Sequence, residues 1–179
     1  MSDTVNRFNS DSDRVEIEGF FTAHIDDENR FPLHARATDP LKGYPSFILA
    51  IGDGNELVGA LHAGAAAEQI AAYVRHGLPS WAVEQGIKDH AMLYSLAVRP
   101  DRRHTGIARE LVAELLNHLS SYRFQTLYGV TGPESAGFYH SGGFTVLPPG
   151  KAIQLDFGKA QVNIPLVGED SWFYKNLPF

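Results

Sequence analysis

A mixed α/β domain is what this 179-residue sequence predicts, on three observations. The apolar runs 47–51 and 57–61 flank Gly52-Asp53-Gly54-Asn55, the residue types of a tight turn, and so read as a β-hairpin. Residues 91–98 read as a central strand that stops at Arg99-Pro100. After a short turn, Ile107, Ala108, Leu111, Val112, Leu115, Leu116 and Leu119 recur at helical spacing and mark a core-facing helix over 106–121.

The remaining elements follow in order. Residues 1–12, rich in Ser, Asp and Asn, are expected to be a disordered arm. Val15, Ile17, Phe20, Phe21 and Ile25 fit a helix better than a strand. Residues 26–45 carry charges and prolines and are read mostly as loop, with Asp26-Asp27-Glu28 as a solvated face. Residues 65–75 have helical composition, stopped by Gly77 and Pro79. Residues 126–130 form a further strand. Pro133 suits a helix start, and that helix runs through 135–140 to Gly142-Gly143. Strands are expected over 144–147 and 152–157, and the tail over 171–179 is aromatic. No repeat or low-complexity linker interrupts the chain, so residues 13–179 are read as a single domain.

Composition narrows the function classes. Apolar residues make up 44% and charged residues 20%, ordinary for a soluble globular protein. A formal charge of −6 and a pI near 5.7 argue against nucleic acid as a general partner. With no cysteine, disulfides, thiolate metal sites and a cysteine nucleophile are excluded. No apolar run approaches the roughly 18 residues that span a membrane, and the polar N-terminus lacks a signal-peptide core. A cytoplasmic location without membrane association is the expectation.

Against that acidic background, residues 99–109 hold four arginines and one aspartate. The cluster lies at a strand-to-helix turn, where backbone N–H groups lack intrahelical partners and the helix dipole favours an anion. Gly106 lets backbone approach a phosphate with no Cβ in the way, and small Ala108 permits a second close approach. Arg103, with Arg99, Arg102 or Arg109, can add charge-assisted hydrogen bonds. The alternative is an ordinary helix start with a solvated arginine patch; the strong strand before and strong helix after favour a polyphosphate ligand.

Leu96-Ala97-Val98 followed by Arg103-x-x-Gly106-x-Ala108 resembles the main cofactor motif of the GNAT superfamily of acetyl-CoA-dependent N-acetyltransferases. A second element, residues 132–144 with Tyr139-His140-Ser141-Gly142-Gly143-Phe144, resembles that family's helix ending in Tyr-x-x-x-Gly-Phe. The resemblance covers roughly residues 46–147. It implies a mostly antiparallel sheet with splayed parallel central strands, flanked by helices. It also implies acetyl-CoA as co-substrate: Leu96, Ala97 and Val98 would offer backbone groups to the pantetheine arm. Arg103, His104, Thr105, Gly106, Ile107, Ala108 and Arg109 would wrap the pyrophosphate, and Tyr139 would sit near the thioester sulfur.

Acyl transfer from a thioester needs a neutral amine, a donor for the tetrahedral oxyanion and a proton donor for the departing thiolate. Tyrosine is protonated at pH 7, which makes Tyr139 the candidate acid; its alternative reading is a core aromatic beside Phe138. An N–H from the Ala97 or Val98 region would face the oxyanion. The base is open. Many family members carry a glutamate where this chain has Met92, and by strand alternation His90 and Tyr94 share the face of Met92. His90 has a suitable ordinary pKa but lies at the strand's mouth, where solvation is the alternative; Glu134 and His62 are further candidates. Gly132 stands where the family often has an asparagine that anchors the cofactor. No His/carboxylate cluster has metal-ligand spacing, so no metal is expected.

The leading expectation is thus an N-acyltransferase acting on a small-molecule or peptide amine. The alternative is a non-catalytic acyl-CoA sensor, favoured by Met92 and Gly132. Trp81 and Tyr73 within 65–89, or the run 26–28, could line the acceptor pocket. The aromatic tail with Trp172, Phe173, Tyr174 and Phe179 could dock on a neighbouring subunit as a homodimer, or on its own domain.

Overall fold

In the computed structural model, residues 5–7, 11–26, 33, 46–53, 56–66 and 77–178 are described. They form a mixed α/β structure whose sheet is mostly antiparallel with one parallel pair. By Cα packing they fall into two compact units, residues 1–64 with 93–118 and residues 65–92 with 119–179.

The first unit is built on four strands in the order β1-β2-β3-β4: β1 (Val5–Arg7), β2 (Ser46–Asp53), β3 (Glu56–Ala65) and β4 (His90–Val98). Val5 pairs with Ile51 and Arg7 with Leu49, so part of the segment expected to be a free arm is a sheet edge. The predicted hairpin is β2–β3, with Phe47 opposite Ala63, Leu49 opposite Leu61 and Ile51 opposite Gly59. A register shift follows Ile51, leaving Val58 as an extra residue and setting Asp53 opposite Glu56. Gly54 and Asn55 lie outside the described residues.

One face of this sheet is covered by α1 (Asp11–His24), whose Ile17, Phe20 and Phe21 pack with Ile48, Ala50 and Ala60. The helical reading of this segment holds, and Phe20/Phe21 with Ile17 supply its buried stripe. The opposite face receives α3 (Ile107–Ser121), whose Ile107 and Leu111 reach Gly59 and whose His118 stacks on Phe47 at 6.0 Å. Leu111 and Leu115 are fully buried, as the helical spacing requires.

The second unit holds α2 (Ser80–Asp89), the first residues of β4, β5 (Thr126–Thr131), α4 (Pro133–Ser141), β6 (Thr145–Val146), β7 (Ile153–Asp156), β8 (Gln161–Ile164) and β9 (Ser171–Asn176). Here β9 lies between β5 and β6, antiparallel to both; Gly129 faces Phe173 on one side and Val146 faces Phe173 on the other. β7 and β8 form a separate hairpin whose Ile153, Leu155, Val162 and Ile164 are buried on one face.

Several expectations are corrected. Among the described residues a helix absent from the sequence reading, α2, occupies 80–89; of the helix expected over 65–75, residue 65 ends β3 and residues 67–75 lie outside the described residues. β8 and β9 are strands that the sequence reading leaves unassigned. The strands expected over 144–147 and 152–157 shorten to β6 and β7. Of the expected loop over 26–45, only Asp26 and Leu33 are described.

Candidate active site

The turn between β4 and α3 lies entirely in the first unit, and with it Leu96, Ala97, Val98, Arg103, His104, Thr105, Gly106, Ile107, Ala108 and Arg109. Pro100–Arg102 make one 3₁₀ turn, fixed by Arg102 N donating to Arg99 O at 2.9 Å. Thr105 Oγ1 donates to Arg102 O at 2.6 Å and closes the loop. His104 and Gly106 both adopt positive φ, 63° and 99°. At Gly106 that conformation lacks a Cβ penalty, which explains glycine one residue before the helix. The first α3 bond is Glu110 N to Gly106 O at 3.0 Å, and N–H groups of Gly106, Ile107 and Ala108 meet no backbone carbonyl among the described residues.

The arginines of the turn are not equivalent. Arg99 holds Asp101 through two hydrogen bonds, at 2.7 and 3.0 Å, and Glu56 at 2.8 Å. Arg102 holds Asp53 at 2.6 Å. Arg99 in turn keeps the Asp101 carboxyl below the ordinary carboxylate range. Arg103 is exposed, donates from Nε to the Val98 carbonyl at 3.3 Å, and engages no carboxylate among the described residues. The excess positive charge read from the sequence is thus matched internally at Arg99 and Arg102. The sequence reading gives neither Asp53 nor Glu56 as a partner of the arginine turn, because they lie 49 and 43 positions from their arginines.

Tyr139 and His90 belong to the second unit. Tyr139 is 7% exposed on α4. Its ring stacks on Phe173 of β9, and Phe144 and Phe138 meet it edge-on at 5.7 and 5.0 Å. Burial pushes its hydroxyl above the ordinary tyrosine value, and that hydroxyl bonds to no group among the described residues. The helix end that carries Tyr139 is closed by Gly143 at φ 75°, with Phe144 N donating to Tyr139 O at 3.1 Å. Lys175 Nζ caps the Gly142 carbonyl at 3.0 Å. At the other end of α4, the Glu134 carboxylate lies against Gly132: a Cβ there would sit 2.7 and 2.9 Å from its two oxygens. Glycine at 132 therefore makes room for an acidic side chain over the helix N-terminus, where the dipole favours it.

His90 is buried rather than solvated, at 4% exposure. Its Nε2 lies 2.7 Å from the Asp156 carbonyl and must carry the proton of that bond, since a carbonyl only accepts. Its ring stacks on Phe157 at 5.3 Å, and Nδ1 is buried without a hydrogen bond. Desolvation lowers its pKa, against the raising influence of the Asp156 carbonyl and the Asp89 and Asp156 charges. Its geometry is that of a ring anchoring the β7–β8 hairpin. His62 is buried on β3 and stacks on Tyr94 at 5.0 Å, and Met92 is buried on β4. Trp172 and Phe173, read as docking either on a neighbouring subunit or on their own domain, are buried within their own chain.

Among the described residues no three His, Asp or Glu gather as a metal site, and no helix is long and apolar enough to cross a membrane. Several solved acetyltransferases share the fold. The ribosomal-protein-S18-alanine N-acetyltransferase of Escherichia coli is 14% identical with a TM-score of 0.57, over 99% of this chain and 96% of that one. A phosphinothricin acetyltransferase of Sinorhizobium meliloti, solved with acetyl-CoA, gives 16% and 0.61 over 99% and 89%. An aminoglycoside 6′-N-acetyltransferase complexed with coenzyme A gives 15% and 0.58 over 98% and 97%. No curated protein matches the sequence significantly. The chain belongs to the acetyltransferase (GNAT) family, whose model matches residues 17–144.

Proposed function

We propose that this protein transfers an acyl group, in the simplest case acetyl, from acyl-CoA to a primary amine of a small molecule or peptide. The observation that carries the reading is the turn at Arg103–Ala108, which among the described residues combines a guanidinium engaged by no carboxylate with N–H groups that have no backbone acceptor. Such a turn suits a pyrophosphate. Two relatives of the same fold were solved with coenzyme A or acetyl-CoA, which supports that ligand.

In this reading the amine nitrogen bonds to the thioester carbonyl carbon, the C–S bond breaks, and the proton lost by nitrogen balances the one gained by sulfur. An N–H near Ala97 or Val98 stabilises the oxyanion. Tyr139 stays protonated because burial raises its pKa, so it donates a hydrogen bond to the departing sulfur. A tyrosine held above its ordinary value is a poor source of a free proton for a thiolate of pKa near ~8.5. Its contribution is therefore stabilisation of the leaving group, with the proton delivered as the acceptor nitrogen sheds its own. His90, with Nε2 engaged by Asp156, acts at most indirectly.

Acetyl-CoA binding is tested by thermal unfolding: at 100 times Kd it stabilises the native state by about 2.7 kcal/mol. An unchanged Tm at saturating acetyl-CoA overturns the proposal. Free coenzyme A released across a panel of amino acids, polyamines, aminoglycosides and peptides then separates an enzyme from a sensor, which would bind acetyl-CoA and release none.

A further inference from the structure

The end of the β2–β3 hairpin meets the anion-binding turn at four points. Asp53 holds Arg102 and Glu56 holds Arg99, the Val58 carbonyl accepts from Arg99 N at 2.9 Å, and Gly59 faces Ile107. Each contact has a physical reason. The register shift at Val58 sets Asp53 and Glu56 directly opposite one another, an arrangement of like charges that is unfavourable alone. The two arginines of the turn neutralise exactly that pair. At Gly59, an added Cβ would overlap Ile107 Cγ2 and lie 3.2 Å from Leu111 Cδ1. Cγ2 sits on a branched Cβ with little torsional freedom, so the first turn of α3 is seated directly on bare β3 backbone.

We infer that the hairpin end is the platform that positions the cofactor turn: Asp53, Glu56 and Gly59 are positioning residues, and Arg99 and Arg102 serve the platform rather than the ligand. Arg103 and the N–H groups at the start of α3 are left to meet the phosphates. This inference rests on the acyl-CoA reading above.

A charge exchange tests it, with acetyl-CoA affinity, the KM and kcat of the full chain, and amide exchange over residues 110–113, the first hydrogen-bonded turn of α3, as readouts. Asp53→Arg alone adds positive charge near the turn; if Arg102 contacted phosphate, or charge alone mattered, affinity would rise or hold. The platform predicts the reverse: affinity two- to fivefold weaker, on the order expected for an exposed ion pair, with faster amide exchange and kcat unchanged. Arg102→Asp behaves the same way. The double variant Asp53→Arg/Arg102→Asp restores the pair at unchanged net charge and brings affinity and exchange back to within about twofold of wild type. Unchanged or tighter binding in Asp53→Arg, or a double variant no better than Arg102→Asp, overturns the inference. Gly59→Ala is expected to raise KM for acetyl-CoA through the shifted helix start; adding Ile107→Ala, which removes the overlapping methyl, recovers it. A wild type that binds no acetyl-CoA, with the amides of 110–113 protected as the platform requires, overturns the ligand reading and leaves the exchange data to judge the platform.

Discussion

Tyr139 lies face to face on Phe173, with ring centroids 3.7 Å apart and planes 12° from parallel. The pair fixes where the phenol hydroxyl points, because the ring is also bounded edge-on by Phe144. Tyr139→Phe keeps the stack and removes only the oxygen. It is expected to lower kcat about 100-fold with KM for acetyl-CoA and Tm nearly unchanged. Phe173→Leu leaves the oxygen and loosens its seat, so stability falls by about 1–2 kcal/mol and kcat falls with it. Steady-state kinetics beside urea unfolding separate the two; equal loss of kcat and cofactor affinity in Tyr139→Phe would remove the hydroxyl from the chemistry.

His90 makes stability depend on pH in a defined direction. Its folded pKa lies below the ordinary 6.5, so the unfolded chain binds the proton more readily. The stabilisation is therefore complete above about pH 6.5 and is lost as pH falls through that value toward the folded one. The charged groups around the ring are Asp89 and Asp156, and both raise the pKa without overcoming burial. Urea unfolding at pH 5 and pH 7.5 should show a larger acid loss for wild type than for His90→Gln, which keeps a donor but does not titrate.

Phe157 fills the space that a side chain at Gly86 would take, with ring atoms 2.6 to 2.9 Å from the position of an added Cβ. Gly86→Ala would normally favour a helix by up to about 1 kcal/mol. Here overpacking outweighs propensity, and the expected outcome is a net destabilisation of about 1–2 kcal/mol. Hydrogen exchange should quicken in 153–164, the hairpin that Phe157 and His90 hold, before it quickens in β5.

Arg103→Ala is expected to weaken acetyl-CoA binding about 10- to 100-fold, the range of a charge-assisted hydrogen bond. The variant should also lose part of the salt dependence of binding, since one charge contact is gone. Calorimetric titration at two ionic strengths checks both effects. An Arg103 variant that binds like wild type would leave the backbone N–H groups as the sole phosphate contacts.

What was legible in the sequence was local. Gly106 before a strongly periodic helix, Arg103 three residues earlier and the apolar strand over 91–98 are neighbours in the chain, and the turn folds as their chemistry dictates. The helix over 106–121 and the β2–β3 hairpin were readable for the same reason. The partners of the turn were not, because an ion pair such as Arg102 with Asp53 leaves no trace in residue types at either end. His90 looked like a solvated strand end because the hairpin that buries it arrives more than 60 residues later. α2 escaped notice because Gly77 and Pro79 read as the stop of a helix over 65–75, although the proline only precedes the first turn of α2. Residue types left the aromatic tail open between a neighbouring subunit and its own domain; Trp172 and Phe173 are buried in their own chain, on β9.

The placement of β9 between β5 and β6 has a kinetic consequence. During synthesis β5, α4 and β6 all emerge first, yet β5 and β6 share no hydrogen bond and wait on either side of an empty slot. The strand that closes it comes 25 residues after β6, so the closing event is a late, long-range one of the kind that folds slowly. It also delivers Phe173, the ring on which Tyr139 rests. A nascent chain halted before residue 171 would thus carry the turn between β4 and α3 already made and Tyr139 still unseated, so on the proposed function it would gain cofactor binding before turnover.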